Sequence, residues 1–223
     1  EDKQALYILL HWGNERFMFA PLTVEPESEY YQTALDKAEE YMSTHGIDPI
    51  FKGISGPIKA AFERCTGYEL IDDRNNSDYV YTMESLRDLA GKKLHAKRNH
   101  IHQFMAQYGE RYEYVKITGD MMGECVDVYN EWLSEKSPDE TDNMELCAIK
   151  TLLMHMDVLG IRGGGIRIDG KLAAFTLGQK MDDNMAVVHI EKADNEIMGL
   201  YTVINNQFVQ HELTDVKFIN REE

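Results

Sequence analysis

Three stretches of the chain bring together side chains that could do chemistry. The first runs from Gly91 to Phe104 and holds Lys92, Lys93, His95, Lys97, Arg98, Asn99, His100 and His102. Wound as a helix at about 100° per residue, it puts Leu94, Ile101, Phe104, Met105 and Tyr108 on one face. Lys92, His95, Asn99 and His102 form a stripe on the other, with Arg98 at its edge. Lys and Arg make charge-assisted hydrogen bonds to anions and His adds a donor. Lys92, His95, Lys97, Arg98, Asn99 and His102 are therefore candidate substrate- or anion-binding residues in a helix expected to line a cleft. The bland alternative is a solvated face that balances Glu84 and Asp88. A helical metal site needs histidines four apart with an acid beside them, and this stretch has neither, so no metal is expected. The second stretch is Gly163–Gly165. A phosphate loop needs a strand before it and a helix after it. Here the order is reversed, which favours a helix end and a flexible entry into a strand. The third comprises His189, Glu191 and Lys192 in an apolar run, then Asp194, Glu196 and Gly199, and finally Arg221 and Glu222. Arg221 could neutralise an anionic substrate and Glu222 could take a proton; a charged strand end is the plain alternative.

Charge separates the first stretch from its surroundings. The whole chain carries −16, yet Glu84–Tyr108 carries +3, leaving −19 elsewhere. Such a balance argues against a general nucleic-acid-binding surface and leaves one concentrated basic segment. A hydrophobic content of 43% is enough for a sizeable core. No apolar run approaches the roughly 18 residues that cross a bilayer, and no charged-then-apolar leader is present. Three widely spaced cysteines, Cys65, Cys125 and Cys147, fit buried thiols in a reducing compartment, with the cytoplasm as the expected location.

The elements that must position these residues alternate along the chain. Strands are expected at 5–10, 16–21, 50–54, 68–70 and 79–82, with helices at 29–43 and 57–65. Helices then follow at 83–89 and 92–108, a strand at 112–117, and helices at 121–134 and 144–158. Three antiparallel strands come next, at 163–168, 171–180 and 185–192, the first pair joined by the tight-turn dipeptide Asp169–Gly170. A helix over 197–211 and a strand over 216–220 complete the pattern. Two helices, a meander, a helix and a strand are the order of the GCN5-related N-acetyltransferase (GNAT) fold. The expected class is α/β in composition and α+β in arrangement: tandem GNAT-like units with mixed, mostly antiparallel sheets flanked by helices. Residues 1–78 form a partial, degenerate unit and residues 79–223 a second unit lacking its last elements. Both chain ends look trimmed, as in a fragment of a longer protein.

The stretches Gly91–Phe104, His189–Asn205 and Phe218–Glu223 resemble a bacterial family classed with the C-terminal domain of phosphatidylglycerol lysyltransferase. The resemblance covers roughly residues 78–223, and more weakly the rest. It implies a transferase that moves an acyl or aminoacyl group to an unidentified amine or hydroxyl. An acyl-coenzyme A, another small-molecule acyl donor or an aminoacyl-tRNA would be the donor, and contact with a membrane surface would be transient. Glu191 is the expected base, at the end of the third meander strand where a cleft should open. Glu222 is the second catalytic candidate, and Asn205 and Arg221 join the substrate-binding residues. In this fold the start of the helix after the meander offers backbone N–H groups to the pyrophosphate of coenzyme A, which makes Gly199 the candidate cofactor residue. The single glycine and the acids Asp194 and Glu196 weaken that site, because they cap a helix but repel phosphate. Weak or absent acetyl-coenzyme A binding is therefore expected. The alternative function is a non-catalytic ligand- or anion-binding module that kept the fold.

Overall fold

A computed structural model describes residues 4–13, 15–25, 29–54, 56–65, 67–74, 77–134 and 140–222. The chain divides into residues 1–75 and 76–223. In the first unit, β1 (Ala5–Leu6) pairs with β4 (Leu22–Thr23), and β2 (Leu9–Trp12), β3 (Glu15–Phe19) and β5 (Phe51–Lys52) form a small sheet. Helix α1 (Tyr30–Thr44) buries Tyr31, Ala34, Leu35, Ala38 and Met42, the three-and-four repeat of its sequence. Helix α2 (Gly56–Arg64) adds Ala61 and Phe62 to the same core. The strand expected at 68–70 does not form. Tyr68 and Leu70 pack on that core from irregular chain, outside any ladder of the described residues.

The second unit holds a six-stranded sheet. It contains β6 (Val80–Thr82), β7 (Tyr112–Lys116), β8 (Ile161–Ile168), β9 (Lys171–Lys180), β10 (Met185–Ala193) and β11 (Phe218–Asn220), in the order β6-β11-β10-β9-β8-β7. Within it only β10 and β11 run parallel. At the β8–β9 turn Asp169 and Gly170 both take positive φ, the backbone of the tight hairpin that their sequence signals. On one face lie α3 (Met83–Asp88), α4 (His95–Tyr108) and α8 (Leu200–Glu212), burying Phe104, Ile166, Ala174, Leu200, Ile204 and Phe208. On the other lie α5 (Met122–Ser134), α6 (Glu140–Met154) and the short α7 (Met156–Leu159), burying Cys125, Tyr129, Ile149, Phe175 and Leu177. Mixed, mostly antiparallel sheets flanked by helices are thus the architecture.

The glycine run is neither a phosphate loop nor a flexible entry. Gly163–Gly165 lie inside β8. A Cβ on Gly163 would meet Ile117, one on Gly164 would meet the Tyr114 hydroxyl and the Phe208 ring, and one on Gly165 would meet Ile117 and Leu172. The strand runs between two packed layers, and only hydrogen fits there.

Candidate functional site

The sheet opens where β10 and β11 part. They pair only along Met185–Val187 and Phe218–Asn220, while β10 continues to Ala193. A bulge sits at the start of that free length. Val188 opposes Gly178 and Ile190 opposes Leu177, so His189 is the extra residue. The bulge breaks the strict alternation expected of a strand. His189 and Ile190 both border a groove on the α6 face, whereas Glu191 turns toward α8. The groove has a volume of ≈ 600 Å³, and Met144, Cys147, Ala148 and Leu152 of α6 form its opposite wall.

Two polar clusters occupy the opening. On the groove side, His189 Nδ1 donates to Glu222 Oε2 at 2.9 Å, and Nε2 lies 3.3 Å from Gln179 Oε1. On the α8 side, Glu191 accepts from Asn205 Nδ2 at 3.0 Å and from Arg221 Nη2 at 3.0 Å. The Glu191 and Arg221 side chains are 10% and 19% exposed, so their attraction acts in a poorly solvated place. Glu222 takes φ 37°, in the left-handed region. A side chain other than glycine loses on the order of 1 kcal/mol in that conformation, which other contacts must offset. Its N–H donates to Asn220 Oδ1 at 3.0 Å, and the Arg221 N–H donates to the Tyr79 carbonyl at 3.1 Å.

The structure therefore brings Glu191, Asn205, Arg221 and Glu222 to one opening. It adds Gln179, and it gives His189, named above by type alone, a partner in Glu222 that spacing does not reveal. The signal that would find them is the bulge, and no local pattern announces it. Lys192, next in sequence, points back to the α5–α6 face. Its ammonium sits 3.5 Å from the centre of the Trp132 ring and 2.9 Å from Glu145, with the side chain 10% exposed. This cation–π and ion pair ties β10 to α5 and α6.

The basic stretch lies elsewhere. Helix α4 starts at His95, three residues later than its pattern suggests, and Lys92 and Lys93 occupy the turn before it. Lys92, His95, Lys97, Asn99 and His102 are exposed on α4 or that turn. Because α4 packs on α8, they stand on the sheet face opposite the α6 groove and do not line it. Arg98 differs from its neighbours. Its Nη1 donates to the carbonyls of Leu89 and Gly91, sewing the α3–α4 connection, so its guanidinium is already engaged.

Gly199 starts α8 in the left-handed region, at φ 85°. A Cβ here would collide with the backbone carbonyl of His100 on α4. Glycine is required for this close helix approach. Before it, the Glu196 N–H donates to Asp194 Oδ1 at 2.9 Å, a turn that delays α8 to Leu200 rather than Ile197.

The thiols are not uniformly buried. Cys125 is buried and its thiol is pushed up to about 12, mainly by desolvation. Cys65 is half-buried and Cys147 is exposed, bordering the groove. Among the described residues no three His, Cys, Asp or Glu side chains come together as a metal site, and no helix is long and apolar enough to cross a membrane.

Comparison with known proteins fits this architecture. The model of the family described as "Phosphatidylglycerol lysyltransferase, C-terminal" matches residues 1–222. No curated protein matches the chain. A conserved protein of unknown function from Bacteroides thetaiotaomicron is similar over 100% of this chain and 75% of its own, with 31% identity and a TM-score of 0.85. The C-terminal domain of a protein assigned as a lysylphosphatidylglycerol synthetase from Agrobacterium fabrum is 14% identical. It covers 97% of this chain and 66% of its own, with a TM-score of 0.59. A tandem GNAT protein from the clavulanic acid biosynthesis pathway is 13% identical, over 98% of this chain and 70% of its own, with a TM-score of 0.50. The two distant structures share the fold alone.

Proposed function

Because the chain belongs to the family of phosphatidylglycerol lysyltransferase C-terminal domains, we propose that it is an acyl- or aminoacyltransferase whose acceptor, an amine or hydroxyl, sits in the α6 groove. The observation that carries this reading is the His189–Glu222 pair at the edge of that groove, 2.9 Å apart. A carboxylate only accepts, so Nδ1 carries the proton and Nε2 keeps a lone pair for the acceptor. The acceptor nitrogen or oxygen attacks the carrier ester or thioester carbonyl, and its proton passes to His189 Nε2. The carrier oxygen or sulfur then leaves and takes that proton back from the imidazolium. Gln179 Oε1 faces Nε2 and can accept from it once the ring is protonated, which would stabilise the imidazolium. Glu191, both of whose oxygens have donors, would hold Arg221 in place rather than take a proton.

Aminoacyl-tRNA is favoured over acyl-coenzyme A as the donor. The His100 carbonyl of α4 closes on Gly199, while exposed Lys92 and Lys93 before that helix and Lys97 on it offer charge to a larger polyanion. The same closed approach also suits a second reading, a binding module that kept the fold without a coenzyme A site. Transfer is measured with labelled aminoacyl-tRNA and with acetyl-coenzyme A, against amines, amino acids and glycerol headgroups. His189→Ala and Glu222→Gln should each lower kcat/KM by roughly 10²–10⁴-fold, the usual contribution of general acid–base catalysis. Full activity in both variants, or no transfer from any donor by the wild type, sinks the transferase.

A further inference from the structure

The carboxylate of Glu222 does not reach His189 by following its strand. Strand β11 ends at Asn220, and two residues later the backbone has turned into the left-handed region, at φ 37°. Non-glycine residues are held there when their surroundings over-determine the conformation, and such positions cluster at functional sites. The surroundings here are few and specific. Asn220 Oδ1 accepts the N–H of Glu222 at 3.0 Å, which closes the turn. The same side chain donates through Nδ2 to Asp78 Oδ2 at 2.8 Å. Asp78 lies just before β6, and β6 pairs with β11, Val80 opposite Asn220. Both ends of the Asn220 amide are therefore used, the oxygen on the strained residue and the nitrogen on the Asp78 carboxylate. An amide anchored at one end cannot rotate to release the other without losing both bonds.

We propose that Asn220 is a positioning residue for the His189–Glu222 pair: anchored by Asp78, it holds Glu222 in its left-handed turn so that the carboxylate fixes the Nδ1–H form of the His189 ring. The chain of hydrogen bonds runs Asp78, Asn220, Glu222, His189. Its role in proton transfer rests on the transferase reading, but the orientation of the ring does not. The side-chain bonds of Asn220 run to Asp78 and to the Glu222 N–H, so it acts on His189 through Glu222. Leucine would fill similar space yet offer neither bond. Aspartate would keep the acceptor for the Glu222 N–H but set a second carboxylate against Asp78.

The test is nitrogen-15 and proton NMR of the histidine rings, with His189 assigned by its loss in His189→Ala. The wild type should show a proton on Nδ1 of His189, protected from exchange with water, with Nε2 unprotonated in the neutral form. Asn220→Ala should lose that protected proton and show a mixture of ring tautomers, with the circular dichroism unchanged. In a transfer assay it should lower kcat by roughly ten- to a hundredfold with KM within about twofold, the range expected when a reacting group is misplaced by about 1 Å. Asp78→Ala, a change at an exposed side chain, should weaken the signal in the same direction, and it carries the test if Asn220→Ala does not fold. Retention of the protected Nδ1 proton in Asn220→Ala, or in Asp78→Ala where that variant decides, overturns the proposal. So does its absence from the wild type. A wild type with the protected proton, lost in the variants, but with no transfer activity would remove the enzyme reading and leave the positioning role standing.

Discussion

Arg221 reaches back across the opened edge of the sheet to Glu191, Nη2 to Oε1 at 3.0 Å, and joins the end of β11 to the free length of β10. Thirty residues separate the two, and the β10–β11 ladder stops at Val187 and Asn220, short of both. The ion pair does there what backbone pairing does lower down.

Breaking this pair from one side should cost more than removing it whole. Arg221→Ala leaves a carboxylate in a poorly solvated place and should destabilise the second unit by about 1–3 kcal/mol. Glu191→Gln combined with Arg221→Ala should cost less than the two single changes added together. Urea unfolding of the four proteins measures the coupling, and simple additivity would show that the pair is not a unit.

Gly199→Ala should destabilise the protein by about 2 kcal/mol or more. The new methyl meets the His100 carbonyl and alanine disfavours φ 85°. By contrast, Gly123→Ala in α5, where a Cβ meets nothing, should be neutral or slightly stabilising. Denaturant midpoints separate the two; equal midpoints would mean that the α4–α8 approach is loose. Calorimetry with acetyl-coenzyme A should give weak binding or none, and a micromolar or tighter dissociation constant would overturn the closed approach at Gly199.

The exposed lysines make a salt-dependent prediction. Lys92→Ala, Lys93→Ala and Lys97→Ala together should reduce tRNA binding and flatten its salt dependence, by roughly 0.7–0.9 in log–log slope for each phosphate no longer neutralised. Folding should be intact, since exposed changes usually stay within about ±0.5 kcal/mol. Arg98 is left out because it holds the α3–α4 connection. Filter binding across a salt series decides, and no binding by the wild type at low salt removes tRNA as the donor.

Asp215 gives a pH dependence. Hydrogen bonds from Arg162, at 2.6 and 2.9 Å, lower its pKa from the ordinary 3.8 to about 2. The folded value lies below the unfolded one, so the contribution is complete above about 4 and is lost as pH falls toward 2. Asp215 is 45% exposed, so solvent screening holds the contribution to about 1 kcal/mol or less. The stability difference between wild type and Asp215→Asn should shrink over that window, and a constant difference would assign the effect to something else.

Much of this fold is legible in the sequence. The helix positions of Tyr31, Leu35, Ala38 and Met42, the Asp169–Gly170 turn and the three long strands follow from periods of 3.6 and 2 and from turn chemistry. Glu191, Asn205, Arg221 and Glu222 stand out by type and position in the sequence, and they meet at one opening. What is not legible depends on tertiary packing. Gly163–Gly165 look flexible until Ile117, Tyr114 and Phe208 press against them. The basic helix is expected at a cleft because charge is visible in a sequence, while the sheet face a helix covers is set by distant apolar partners. The place of His189 is hidden because a one-residue bulge moves it to the groove, and alternation cannot reveal an exception to itself.

The pairing of β6 with β11 joins residues 80–82 to residues 218–220, and this fixes when that edge of the sheet can form during synthesis. A ribosome makes the elements of the second unit in order, yet β6 must wait for β11. Until β11 emerges, β6 has no neighbour and β10 shows an unpaired edge, the kind of surface that invites wrong pairing with other chains. The meander and its helices can assemble early, but the opened edge, and with it the His189–Glu222 pair, can form only once β11 has emerged.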